Sequence, residues 1–233
     1  MTNTYNKLNV AARLACALVL ALACNVCAEQ ETARHASELK QLDAYTLAGE
    51  KHLLHGYSAF SDENSINAVI EIPTGTNAKW EVDKSSGQLQ WEFKKGKPRV
   101  VKYLSYPGNY GMVPQTLLSE ADGGDGDPLD VIVLGPAVPR GSVVAVTPIG
   151  VLKMLDKGEQ DDKIIAVMKG TPFKKIGSLK ELQKKFPGTV KILKTWFANY
   201  KGQKKIEILG TDSVDAARKI IKTAAKGYQQ AQR

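Results

Sequence analysis

After position 55 the 233-residue sequence contains neither cysteine nor histidine; the thiols are Cys16, Cys24 and Cys27, and the imidazoles His35, His52 and His55. For the rest of the chain this excludes a Ser-His-Asp triad, a Cys-His nucleophile, a thiolate or imidazole zinc site, a CxxC redox pair and an iron–sulfur cluster. Chemistry there has to rest on carboxylates, lysine, arginine, tyrosine or a hard metal ion. The chain also lacks an apolar run long enough to span a bilayer. The run from Leu14 to about Val26 falls short of the roughly 18 to 20 residues required. It follows Lys7 and Arg13 without any acid and ends at Val26-Cys27-Ala28 before Glu29, the pattern of a secretory signal cut after Ala28. Residues 1–28 are therefore expected to be a signal peptide, and the protein periplasmic or secreted, with no stable membrane insertion after cleavage. The second reading is a lipoprotein anchored through Cys24, since Ala21-Leu22-Ala23 is a poor form of the small-residue box before a lipidated cysteine. Cleavage removes two basic residues, no acids and every cysteine, so the net charge falls from +8 to +6. A thiol-free chain cannot mispair in an oxidising compartment.

What is present fits a globular body of ordinary size, with 43% hydrophobic residues. Residues 29–64 are polar, hold all three histidines and end in the turn-rich Ser61-Asp62-Glu63-Asn64-Ser65; they are expected to form a helical or loose extension ahead of a domain at 65–233. His52 and His55, three apart, lack a third ligand and are taken as surface residues. From Ala68 the pattern turns to strands, with Glu71 projecting opposite an apolar face, and with Trp80 and Val82 opposed to Lys79, Glu81 and Asp83. Further apolar runs lie at Val131–Leu134, Val143–Leu155 and Ile164–Val167. Helices come late. Ser178 and Glu181 form a capping box before Leu179–Phe186, and Val190, Leu193, Phe197 and Tyr200 share one helix face. A last helix, capped at Thr211 or Asp212, carries Val214, Ala217, Ile221, Ala224 and Tyr228 inward. The fold class is α+β: a small closed OB-like β-barrel with two or three flanking helices.

Asp122, Asp125, Asp127 and Asp130 put four aspartates into nine residues of a basic chain. They repel one another unless a cation sits among them. A solvated acidic turn is the plainer alternative, and an EF-hand is excluded because Leu129, Asp130 and Pro136 occupy its ligand, glycine and closing-glutamate positions. A second acidic group, Asp156 to Asp162, lies between two apolar strands, so both loops can meet at one mouth of a barrel. All-oxygen ligands suit magnesium or manganese better than zinc. Lys79, Arg99, Lys163 and Lys201, with Tyr106, Tyr110 and Tyr200, stand opposite those acids. Together they describe a site for metal-bound phosphate.

Asp125-Gly126-Asp127-Pro128-Leu129-Asp130-Val131 resembles the signature of soluble family I inorganic pyrophosphatases. Val69-Ile70-Glu71-Ile72-Pro73, Lys79-Trp80-Glu81, Tyr106 to Gly111, Gly150 to Met154, Asp156…Asp161…Lys163 and Tyr200-Lys201 follow in the family's order, over roughly residues 66–225. The resemblance implies hydrolysis of inorganic diphosphate to two phosphates by a metal-activated water, with several Mg²⁺ ions per site and Mn²⁺ as an alternative. It assigns metal binding to Asp125, Asp130, Asp156 and Asp161, with Glu71 in the surrounding metal and water network, and proton uptake from the attacking water to Asp127. It assigns phosphate binding to Lys79, Arg99, Tyr110, Lys163, Tyr200 and Lys201, and to Glu81 the fixing of those lysines and arginines. The spacing from Arg99 to Tyr106 differs by one residue from that of bacterial members, while Arg99-Val100-Val101-Lys102 is closer to the eukaryotic version. A homo-oligomer is expected.

Two other functions compete. A catalytically inactive relative that binds polyphosphate or metal outside the cytosol would have lost family carboxylates, and none is missing. An OB-type nucleic-acid binder would stack bases on exposed aromatics over a basic groove. Here the expected mouth is acidic and aromatics are only 7%, so no nucleic-acid partner is expected.

Overall fold

Apolar runs that alternate with turns become the staves of a barrel in the computed structural model, which describes residues 39–119, 124 and 126–232. The expected signal peptide at 1–28, the Cys24 anchor, residues 29–38 and both Asp122 and Asp125 lie outside the described residues.

The strands, in chain order, begin with β1 (Lys40–Asp43), β2 (Thr46–Ala48), β3 (Phe60–Asp62), β4 (Ser65–Ile72), β5 (Trp80–Val82), β6 (Leu89–Trp91), β7 (Phe93–Lys94) and β8 (Lys97–Pro98). They continue with β9 (Asn109–Met112), β10 (Asp130–Leu134), β11 (Val143–Asp156), β12 (Glu159–Gln160) and β13 (Lys163–Met168). Helices α1 (Leu179–Lys185) and α2 (Thr189–Asn199), strand β14 (Ile206–Asp212) and helix α3 (Val214–Ala231) complete the chain. The barrel is the circuit β4-β9-β10-β13-β11. It closes because β11 is long enough to serve three neighbours: Val143–Val146 pair with β4, Val146–Leu152 with β13 and Val151–Asp156 with β14. Closure removes the open edges that a flat sheet would expose.

The strand expectations at 131–134, 143–155 and 164–167 agree with β10, β11 and β13. Burial on both faces explains their unbroken apolar character, because these strands are covered inside by the barrel core and outside by helices or the second sheet. β4 is likewise buried along nearly its whole length, Glu71 included. Gly111 is dictated by this closeness: a Cβ there would come within 1.8 Å of the Val69 carbonyl oxygen on the neighbouring strand.

Two sequence expectations are corrected. Residues 39–64 are not a helical or loose extension. β1 and β2 join β6 and β5 in a four-stranded sheet, and Leu53 and Leu54 pack with Val69, Trp80, Leu89, Met112 and Val143 in a core of their own. Each such leucine removed from water contributes about 1.5–3 kcal/mol, which tethers the segment although its composition is polar. The last helix is capped by Ser213, whose hydroxyl accepts from the Ala216 N–H, and not by Thr211 or Asp212. Those two residues are engaged as strand partners of Leu152 and Val151. The other two helices match their expectations. Ser178 caps α1 through the Glu181 N–H, Glu181 accepts in return from Gly177, and Leu182 is buried. α2 sets Val190, Leu193, Trp196 and Phe197 against the barrel core. No helix of the described residues is long and apolar enough to cross a membrane.

Candidate active site

β10 and β13 run parallel, and β11 runs antiparallel to β13. The start of β10, the start of β13 and the end of β11 therefore share one mouth of the barrel. Asp130, Lys163 and Asp156 occupy those three positions. β5 crosses nearby and brings Lys79 and Glu81, and the residues after α2 bring Tyr200 and Lys201 as the helix ends. The result is a cleft of about 450 Å³ lined by Glu71, Lys79, Glu81, Arg99, Tyr110, Asp127, Asp130, Asp156, Asp161, Lys163, Tyr200 and Lys201. Of the site residues named from the sequence, Asp125 is not among the described residues, and Tyr106 does not line the cleft but packs in the core against Tyr110.

The charges are arranged as opposed pairs. Lys163, only 2% exposed, donates to both Asp130 and Asp161. Lys201 donates to one oxygen of Asp156, while the other, Oδ1, is buried with no hydrogen-bond partner among the described residues. Lys79 pairs with Glu81 and sits 5.6 Å from the centre of the Tyr110 ring. Burial opposes the charge on Lys163, yet Asp130 and Asp161 outweigh it and hold its pKa above the ordinary lysine value. Lys79 behaves alike, with Tyr106, Glu81 and Glu71 more than offsetting burial. Burial pushes Glu71 up to about 8, against the pull of Lys79 and a 2.8 Å hydrogen bond from the Val82 N–H. Burial likewise raises Asp161, against the opposing pull of Lys163. It also raises Tyr106, Tyr110 and Tyr200, so these phenols stay protonated as donors.

One expected partnership is corrected. Glu81 holds Lys79, but the guanidinium of Arg99 is gripped by both oxygens of Glu92, at 2.7 and 2.6 Å. The β7–β8 hairpin explains this: its turn folds Arg99 back beside Glu92, whose N–H donates 2.9 Å to the Lys79 carbonyl while the Arg99 N–H donates 2.7 Å to the Glu92 carbonyl. Glu92 escaped sequence reasoning, as did Lys84, which lines the cleft and donates to Asp127. Neither carries a local signal, since each looks like one more surface charge.

Among the described residues no three carboxylates or imidazoles come together as a ready cage for an ion. The donors nevertheless suit a hard cation. They are all oxygens, and Asp156 Oδ1 is a buried anionic atom that lacks a partner among the described residues.

Comparison with known proteins agrees with this geometry. A family model described as Inorganic pyrophosphatase matches residues 68–229. The chain is 38% identical over 173 residues to soluble inorganic pyrophosphatase 2 of Chlamydomonas reinhardtii, covering 72% of this chain and 82% of that protein. It is 37% identical over 167 residues to an inorganic pyrophosphatase of Gluconobacter oxydans, covering 70% and 91%. The solved structure of inorganic pyrophosphatase from Schistosoma japonicum superposes with a TM-score of 0.72 at 30% identity, covering 76% of this chain and 71% of that one.

Proposed function

Because the chain belongs to the soluble family I inorganic pyrophosphatases, which are metal-dependent enzymes that hydrolyse inorganic diphosphate, we propose that it splits diphosphate into two phosphates by direct attack of water, with Asp127 as the general base and magnesium as the metal. The observation that carries this reading is the meeting of carboxylates, lysines and phenols in one cleft.

Asp130, Asp156 and Asp161, together with Asp125, are the residues that would hold the metal. Magnesium bound there would supply the acidity that makes water a nucleophile at neutral pH, and manganese could stand in for it. Lys79, Arg99, Lys163 and Lys201 bind and orient a substrate bearing several negative charges. The protonated Tyr110 and Tyr200 donate hydrogen bonds to its oxygens as charge builds on the leaving phosphate. Asp127 stands at the edge of the cleft, beside Lys84, and takes up the proton of the attacking water. Glu71 keeps the β4–β5 face in place through the Val82 N–H, and Glu81 holds the Lys79 ammonium. An acidic mouth argues against nucleic acid as a partner.

The test is phosphate release from diphosphate with magnesium, with and without chelator. Asp127→Asn should lower kcat by about 10²–10⁴, the usual range for a lost general base, at unchanged thermal stability. No release by the wild type, or release indifferent to magnesium, overturns the reading. We further propose export through residues 1–28, supported by the sequence pattern alone. N-terminal sequencing of the protein from an extracytoplasmic fraction should begin at Glu29; a start at Met1 refutes export, and a lipidated Cys24 favours the anchored form. We also propose a homo-oligomer, supported by the exposed Leu104 and Ile192; a monomer mass by light scattering refutes it.

A further inference from the structure

The turn between β10 and β11, Pro139-Arg140-Gly141-Ser142, carries a half-buried arginine that does not line the cleft. Among the described residues, no carboxylate lies within ion-pair distance of Arg140. Its guanidinium is engaged in two other ways: it donates to the backbone carbonyl of Glu71 on β4, and it lies 4.7 Å from the centre of the Trp80 ring on β5. Both contacts are set up by the fold. The pairing of β4 with β9 passes from Ile70 opposite Gly111 to Ile72 opposite Tyr110 and skips Glu71, which is the extra residue of a bulge there. Trp80 is also stacked against Trp91, with ring centres 5.5 Å apart and planes inclined by 27°. Arg140 thus joins the Trp80–Trp91 stack and ties it to the bulge in β4. The turn itself is anchored, because the Gly141 N–H donates 2.6 Å to the Ile70 carbonyl and the Ser142 carbonyl accepts from the Ile70 N–H at 2.9 Å.

Strand alternation gives this clamp its consequence. Trp80 does not line the cleft, whereas its neighbours Lys79 and Glu81 do. Glu71 presents its carbonyl to Arg140 and its carboxylate to the Val82 N–H at the cleft wall. We propose that Arg140 is a positioning residue for diphosphate binding: from behind the cleft it locks β4 to β5 and so sets where Lys79, Glu81 and Glu71 stand. A planar guanidinium is needed because only it can stack on the indole and donate a hydrogen bond in its own plane at once. A lysine at this position keeps a charge and a donor but loses the face.

This inference rests on the diphosphatase reading, and its test separates the two. The KM and kcat for magnesium diphosphate would be measured for wild type, Arg140→Met and Arg140→Lys. In parallel the Kd of a non-hydrolysable methylene diphosphonate would be measured by calorimetry. Arg140→Met should raise KM and Kd about five- to tenfold with kcat within about twofold, since binding is disturbed and the chemical groups stay. Arg140→Lys should fall between the two. Trp80→Phe should raise KM too, and Arg140→Met in that background should add less than it does alone, because both changes break the same Arg140–Trp80 contact. A lower unfolding temperature with KM and Kd unchanged would show Arg140 to be structural only and overturns the inference. A wild type that binds the diphosphonate without hydrolysing diphosphate would sink the proposed function instead, and Arg140 would then be judged on Kd alone.

Discussion

Lys163→Met isolates the role of one buried charge. Methionine has nearly the length and volume of lysine, so the change removes the ammonium and leaves the packing of β13 largely intact. Lys163 is 2% exposed, whereas its partners Asp130 and Asp161 are 30% and 19% exposed. Removing one member of a buried ion pair costs about 3–5 kcal/mol through the charge left behind. Here two carboxylates are left facing each other, but both touch water and can rehydrate, which places the loss at the low end, about 3 kcal/mol. For a chain of this size each kcal/mol moves the unfolding temperature by about 2–4 °C, so a drop of about 6–12 °C is expected in chelator. Magnesium should narrow that gap, because Asp130 and Asp161 would hold a divalent cation that offsets the lost ammonium charge and binds only the folded state. The assay is thermal unfolding followed by circular dichroism, with chelator and with magnesium. A shift below about 2 °C in chelator would refute the coupling of Lys163 to its two aspartates, given the scaling above. A large shift that magnesium leaves untouched would refute the idea that this pair receives metal.

Two further outcomes test the frame around the site. Glu71 holds its proton up to about pH 8 when folded, against an ordinary value of 4.5, so the stability it confers is complete below pH 4.5 and is lost as the pH rises to 8. Urea unfolding in metal-free buffer should therefore show the wild type weakening across that window, by at most about 1.4 kcal/mol per pH unit for one proton, with the slope reduced in Glu71→Gln; parallel pH profiles for the two proteins would contradict the buried, protonated carboxyl. Gly111→Ala places a Cβ 1.8 Å from the Val69 carbonyl oxygen and 3.0 Å from the Glu71 nitrogen, both backbone atoms that cannot swing aside. Denaturant titration should show a loss of at least about 3 kcal/mol, and a loss under about 1 kcal/mol would show that β4 and β9 do not approach so closely.

Legibility in the sequence followed the range of the forces involved. The Ser178 cap, the apolar face of α2 and the apolar runs of β10, β11 and β13 depend on residues close in the chain, and they could be read from spacing alone. β14 could not, because Ile206–Asp212 is held as a strand by β11, roughly fifty residues earlier in the chain, and its exposure pattern is irregular. Residues 39–64 are opaque to a local reading for the same reason. Their polar composition hides Leu53 and Leu54, whose burial depends on Trp80, Leu89 and Met112 arriving from elsewhere.

The types of residue in the candidate site were determined by the sequence by itself. The absence of cysteine and histidine after position 55 left oxygen donors, lysines and phenols as the only chemistry, and the two aspartate groups marked where it lies. Which charge meets which was decided only in three dimensions. Lys163 bridges Asp130 and Asp161, Glu92 and not Glu81 grips Arg99, Lys84 reaches Asp127, and Arg140 clamps two strands from behind. An ion pair or a stack is settled within a few ångströms, and closure of the barrel through β11 is what brings residues dozens of positions apart to that distance.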